Sequence, residues 1–232
     1  MMNSRSRKIA TAIAGACVLP LAVAVPASAG NTAQQDADVS VFHGVPGLTV
    51  DVFANGKTLV PDLKPGDLTE PQSLAPGTYD IKVFPDGDGP DGQPAIEKSV
   101  EVPAGANATI AAHLNTQGDP TLTTYVNDTS TAPSGQSRLT VRHVAAAPAV
   151  DVRAGGKPII EGLTNPYEKS LDVAVGTVNT DVVLAGTDTV VIGPTDLNLT
   201  KGKNTIVYAW GSAEDKNLAL KTQTINASGQ HS

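Results

Sequence analysis

The sequence predicts an all-β protein built as two tandem antiparallel β-sandwiches, and three observations predict it. From Val39 onward, short runs rich in Val, Thr, Ile and Leu alternate with clusters of Gly, Pro, Asn and Asp at a spacing of about eight to twelve residues, the rhythm of a sandwich or barrel. No window sustains the apolar period of about 3.6 residues that a helix requires. The stretch VFHGVPGLTVDVFANGK, Val41 to Lys57, returns as VRHVAAAPAVDVRAGGK, Val141 to Lys157, one hundred positions later and without a gap.

Taken in order, the chain opens with Arg5, Arg7 and Lys8, followed by an uncharged run from Ile9 to Ala29 that ends in Ala27-Ser28-Ala29. Basic residues, an apolar core and a small-x-small site make residues 1–29 a secretory signal peptide, cleaved after Ala29. Pro20 and Pro26 interrupt the apolar run and no stop-transfer flank follows, so a retained membrane helix is not expected. The single cysteine, Cys17, lies inside this segment. Ala14-Gly15-Ala16 lack the large aliphatic residue of a lipoprotein site, and cleavage there would leave the apolar VLPLAVAVPASA on the product. A secreted chain without cysteine forms no disulfide, so its stability must come from its cores.

A polar lead, residues 30–38, reads as a tether. The first sandwich is expected over residues 39–128, with strands at 39–43, 49–54, 57–60, 72–74, 78–84, 96–102, 108–115 and 122–126. The segment TSTAPSGQ, residues 129–136, has the composition of a linker. The second sandwich is expected over 137–227, with strands at 139–143, 150–154, 158–160, 168–173, 180–184, 189–192, 196–199, 204–210 and 218–225, before a short tail, 228–232. Each half is about ninety residues, enough to bury a core without a disulfide.

Charge limits the partners. Loss of Arg5, Arg7 and Lys8 with the leader moves the formal charge from -7 to -10, because all 23 acidic residues lie beyond Ala29. Nucleic acid and anionic membrane surfaces need the opposite sign. An extracellular protein or a cell-wall polymer remains as the expected partner class, with no cofactor and no membrane insertion after cleavage.

Four groups of side chains are candidate sites. His43 and Asp51, repeated as His143 and Asp151, suggest a catalytic or metal-binding pair. Pleat geometry argues for a structural role: His43 continues the face of Val39 and Val41, whereas Asp51, framed by Val50 and Val52, points to the opposite side. No G-x-S-x-G elbow, free cysteine or HExxH supplies a nucleophile or metal ligand set. The loop PDGDGPDGQ offers Asp86, Asp88 and Asp91 as hard oxygen ligands for calcium, or as a solvated hairpin, and it occurs in one half only. Tyr208 and Trp210 alternate on one strand face and could form an aromatic platform for a sugar, or belong to a core.

The repeated unit of a Val-rich strand ending in His, a Pro/Ala turn, Val-Asp-Val and Gly-Lys, with PGTYDIKV at Pro76 to Val83, resembles the bacterial domain of unknown function 4397. The resemblance implies a secreted or cell-surface β-sandwich, Ig-like in class and often tandem, without assigned catalytic residues. The second half departs from the pattern at VGTVNTDVV, Val175 to Val183, where the Tyr is replaced and extra residues intervene. Sequence therefore points to a non-catalytic extracellular binding or structural module. The alternative is a metal-dependent hydrolase or metal-binding protein using the repeated His or the Asp-rich loop.

Overall fold

The computed structural model describes residues 34–227. The leader, Cys17, the start of the polar lead and the tail lie outside these residues. The first half contains β1 (Ala37–Gly44), β2 (Val50–Ala54), β3 (Lys57–Leu63), β4 (Gln72–Leu74), β5 (Gly77–Pro85), β6 (Ile96–Val102), β7 (Asn107–Leu114) and β8 (Pro120–Val126). The second contains β9 (Gln136–Ala146), β10 (Val150–Ala154), β11 (Lys157–Leu163), β12 (Glu168–Ala174), β13 (Gly176–Leu184), β14 (Val190–Leu199), β15 (Lys203–Ser212) and β16 (Ala219–Asn226).

These strands form four sheets in two sandwich pairs. In the first half β3-β2-β5-β6 faces β4-β1-β7-β8, and in the second β11-β10-β13-β14 faces β12-β9-β15-β16. Pairing is antiparallel except for β1 with β7 and β9 with β15, which run parallel. Local chemistry sets the hairpins. β2 turns into β3 through Asn55-Gly56, with φ of 50° and 75°, and β10 into β11 through Gly155-Gly156, with φ of 55° and 77°. Two successive left-handed residues are what a two-residue hairpin loop needs, and Asn and Gly tolerate them best.

The second half differs from the sequence reading in two strands. The segments expected at 189–192 and 196–199 are one strand, β14, whose interior Gly193-Pro194 is accommodated by register shifts opposite Thr180 to Val183. β14 is a sheet edge, where a residue without an N–H breaks no ladder. β13 begins at Gly176, not Thr180, and pairs Gly176 with Leu199 as β5 pairs Gly77 with Val102. Val178 simply stands where Tyr79 does, and no extra residues intervene.

Alternation along the inner strands places one face in each sandwich core. Val39, Val41, Val52, Ile81, Val83, Ile110 and Leu122 fill the first, and Leu139, Val141, Val152, Val182, Leu197 and Val207 the second. A third apolar cluster was not foreseen. Phe42, Ala111 and Tyr125 of the first sandwich pack with Val144, Ile206, Tyr208 and Ile225 of the second. The outer face of β4-β1-β7-β8 is thus buried against that of β12-β9-β15-β16, and the described chain is a slab of four stacked sheets.

Candidate functional site

Each repeated histidine lies near the end of its strand, one residue before the end of β1 and three before the end of β9, and turns inward. His43 and His143 are buried, and Nε2 of each donates to a carbonyl five residues on, Leu48 O at 2.8 Å and Pro148 O at 2.9 Å. The imidazole closes the turn that leads into β2 or β10. Burial lowers both pKa values, against the opposing pull of those carbonyls, so the rings are neutral near pH 7. Nδ1 of His143 accepts from Ala145 N at 3.4 Å, whereas Nδ1 of His43 is buried without a partner among the described residues.

The repeated aspartates serve a different part of the backbone. Between Val50 and Val52 the register with β3 shifts, and the bulged residue, Asp62, has φ of 52°; Gly162 holds the equivalent place in β11 with φ of 64°. A bulge leaves an N–H outside the ladder. Asp51 Oδ1 accepts from Asp62 N at 2.9 Å, and Asp151 Oδ1 from Gly162 N at 2.7 Å. Asp151 Oδ2 also accepts from Gly186 N at 2.8 Å, and these two N–H groups hold its pKa below the usual carboxylate range. His43 and Asp51 do not share a partner, nor do His143 and Asp151.

The acidic set differs from the one expected. Asp86 does not gather with Asp88 and Asp91; its carboxylate lies within 4.8 Å of those of Asp51 and Asp62. The reason is the fold, because Asp86 follows directly on β5, which pairs with β2 through Val50 and Pro85, while Asp88 and Asp91 are carried away on the loop. In the second half Ala185, whose N bonds to Ala149 O as Asp86 N bonds to Thr49 O, and Gly162 replace two of the three acids.

The aromatic platform is also corrected. Tyr208 is fully buried and stacks on Phe42, with centroids 4.6 Å apart. Trp210 lies edge-on to Phe42 and covers Gly66, where a Cβ would come within 2.9 Å of the indole. Both face the first sandwich; Tyr208 is inaccessible and Trp210 is half-buried, so the two rings do not form an open platform.

The most elaborate polar arrangement was missed by sequence reasoning, and it lies in the interface. Arg142, 1 % exposed, donates through Nε to Glu168 at 2.6 Å, through one terminal nitrogen to the Tyr208 hydroxyl at 2.6 Å and through the other to Asn127 Oδ1 at 2.8 Å. Its guanidinium sits 4.2 Å above the Tyr125 ring, a cation–π geometry. The Tyr208 hydroxyl passes a bond to Gln223 Oε1 at 2.6 Å, and Tyr125 donates to Pro166 O at 2.6 Å. Burial raises the pKa of both tyrosines. Asn165 Nδ2 bridges Leu114 O and Ala145 O, each at 2.7 Å, tying the ends of β7 and β9. A third buried imidazole, His113, donates from Nδ1 to Leu114 O and accepts at Nε2 from Thr123 Oγ1, both 2.8 Å, and burial brings its pKa down to about 4.

The strand registers relate the two sides of this interface by an approximate twofold. They equate Phe42 with Arg142, Leu68 with Glu168, Tyr125 with Gln223, Asn127 with Ile225 and Thr109 with Ile206. Contacts are reciprocal under this exchange: Asn127 bonds Arg142 on one flank, and Ile225 joins Phe42 in the apolar cluster on the other.

With this geometry in view, the sequence profile described as "Domain of unknown function (DUF4397)" matches residues 37–153, half of the chain, running from β1 into β10. No curated protein matches the sequence. Among solved structures, CBMbc (family CBM26) from Eubacterium rectale, in complex with maltoheptaose, aligns over 82 % of this chain and 96 % of its own at 11 % identity and a TM-score of 0.27. A putative cell adhesion protein from Bacteroides ovatus aligns over 85 % and 99 % at 9 % identity and a TM-score of 0.19. Superposition at that level carries no functional argument.

Proposed function

Because the chain belongs to the family of domain of unknown function 4397, a description that assigns no chemistry, we propose a function from its geometry: a non-catalytic extracellular binding or structural module that works as one rigid body. The observation that carries this reading is the buried interface around Arg142, Tyr208 and Phe42, which fuses two sandwiches into a single four-layered unit. The most conspicuous repeated side chains support it, since His43, His143 and Asp151 are engaged in holding backbone turns and bulges. Location outside the cell rests on the leader read in residues 1–29. Among the described residues no helix is long and apolar enough to cross a membrane.

A rigid pair differs functionally from two domains on a string. A flexible linker would let each half find its own ligand; a fixed interface sets the spacing, so avidity follows only for a target whose repeat matches it. The test is retention of wall or secretome material from the producing cell by the immobilised chain starting at Gly30. A specific wall polymer or protein should be captured. If nothing is retained where a known wall binder succeeds, the module reading is wrong.

A further inference from the structure

The two flanks of the twofold interface are filled differently. On the β8–β12 flank the chain itself runs through: Arg138 pairs with Asp128 and Asp172 and donates to Ser130 O at 3.2 Å, while Asn204 Nδ2 donates to Asp128 O at 3.0 Å. On the opposite flank, between the segment leading into β4 and the strand β16, lies an open groove of about 520 Å³ that continues into a hollow of about 290 Å³. Asp38 and Glu70 stand on its first-sandwich wall, and Lys203 and Lys221 on the other. Asp38 occupies the position of Arg138, but none of the ion pairs among the described residues uses Asp38, Glu70, Lys203 or Lys221. Lys203 Nζ donates instead to Asn226 Oδ1 on its own sheet, and among the described residues no carboxylate of one wall pairs with an ammonium group of the other.

The floor of the groove is a sheet edge. β16 pairs with β15 alone, and Lys221 to Asn226 run along both hollows. An edge strand of this kind presents backbone N–H and C=O groups to whatever enters. Gln223 and Ile225 point into the interface and hold the edge in place, with Gln223 Oε1 accepting from both Thr109 and Tyr208. Thr224 lines both hollows beside the open edge. Natural edges are blunted by proline, bulges or charged side chains; the eight residues of β16 contain no proline or bulge, and Lys221 is their one charged residue.

We propose that this flank binds an extended peptide as an added strand along β16, with a mixed-charge sequence whose basic side chains meet Asp38 and Glu70 and whose acidic side chains meet Lys203 and Lys221. Two observations select a peptide over other ligands: the open edge of β16 supplies main-chain hydrogen bonds, and the two walls carry opposite charge. Strand addition draws affinity from the main chain and specificity from alternate side chains. The inference rests on the reading of the chain as a binding module, but capture of wall or secretome material tests that reading independently of any peptide.

The experiment is a titration of ¹⁵N-labelled chain, from Gly30, with a pool of capped hexapeptides alternating Lys or Glu with Val or Thr. Saturable shifts are expected at the amides of Lys221 to Asn226, lost when alternate peptide nitrogens are N-methylated and weakened several-fold by Lys221→Glu or Glu70→Lys. Both variants are surface changes whose folding the same spectra report. No saturable shift at millimolar peptide overturns the proposal, as do shifts that survive N-methylation. Shifts of β16 that follow protein concentration without peptide would assign the edge to a second copy of the chain and overturn it equally.

Discussion

The two flanks of the interface show how a duplicated scaffold can be made asymmetric. Equivalent positions hold Phe42, Leu68 and Ile225 on one side and Arg142, Glu168 and Asn127 on the other. The apolar trio needs only to exclude water. The polar trio must be complete, because a buried guanidinium that loses a partner leaves charge and N–H donors unsatisfied. The difference has a consequence for assembly. A sheet carrying Phe42 packs well on one carrying Tyr208, and Arg142 is satisfied by Asn127 and Tyr125 from the first sandwich, so each half is suited to its partner and poorly suited to itself.

Breaking the polar flank should have the largest effect. Arg142→Ala is expected to cost about 4 kcal/mol in chemical denaturation, since it removes the donors to Asn127 Oδ1 and the Tyr208 hydroxyl and empties the buried space over the Tyr125 ring. Phe42→Ala should cost about 3 kcal/mol, the range for deleting a buried aromatic ring. Replacing all three polar residues together, as Arg142→Phe, Glu168→Leu and Asn127→Ile, should recover much of the loss caused by Arg142→Ala. A triple variant no more stable than Arg142→Ala would show that shape, and not charge satisfaction, dominates this flank.

The ends of the same strands differ again: His113 in β7 occupies the place that Trp210 takes in β15. Both face the interface, but only the imidazole titrates. Its folded pKa, about 4, lies below the ordinary 6.5 because burial disfavours the cation and the charges of Lys98 and His143 add to that. The unfolded chain therefore binds a proton that the folded chain refuses, and the stabilisation is lost as pH falls from 6.5 toward 4. For His113 the loss is about 3 kcal/mol across that window. His43 and His143, also depressed by burial, add in the same direction. Urea denaturation at stepped pH measures the slope, and His113→Gln should flatten it. An unchanged slope would assign the acid sensitivity elsewhere. Fluorescence of Trp210, the one tryptophan in the chain, reports on the interface as it loosens.

Strands, their order and the His-turn-Asp unit were legible in sequence because they are local and repeated. The interface was not, and the repeat itself concealed it. Phe42 and Arg142, Ala111 and Tyr208, Tyr125 and Gln223 are equivalent positions with unlike residues, so a search for shared positions passes over the residues that differ because they meet one another. Arg142, between Val141 and His143, reads as the solvent face of a half-buried strand. That face is covered only because a second sandwich lies on it. Tyr208 and Trp210 could be placed on one face by alternation, but not on the inside or the outside. The clustering of Asp51 with Asp62 and Asp86 depends on a bulge in β3, whose one local signal is the pairing of Asp62 with Gly162 at the common offset.

That pairing gives the finest comparison between the halves, and the smallest predicted effect. The same bulge position is Asp62 in the first sandwich and Gly162 in the second, both in the left-handed region. A Cβ at 162 meets nothing within 4 Å, so the exchange is one of backbone strain and charge, not of steric fit. Asp62→Gly removes a side chain from left-handed backbone and one carboxylate from a group of three. It should stabilise the chain by about 1 kcal/mol at low salt, with part of the gain screened away as salt rises. Gly162→Asp should do the reverse, bringing a second carboxylate to Asp151, whose two N–H donors now hold it ionised. Denaturation of both variants at low and high salt separates the contributions: strain is salt-independent, and repulsion is not. If Asp62→Gly destabilises instead, the three carboxylates of the first sandwich are held together by something that their second-half counterparts lack.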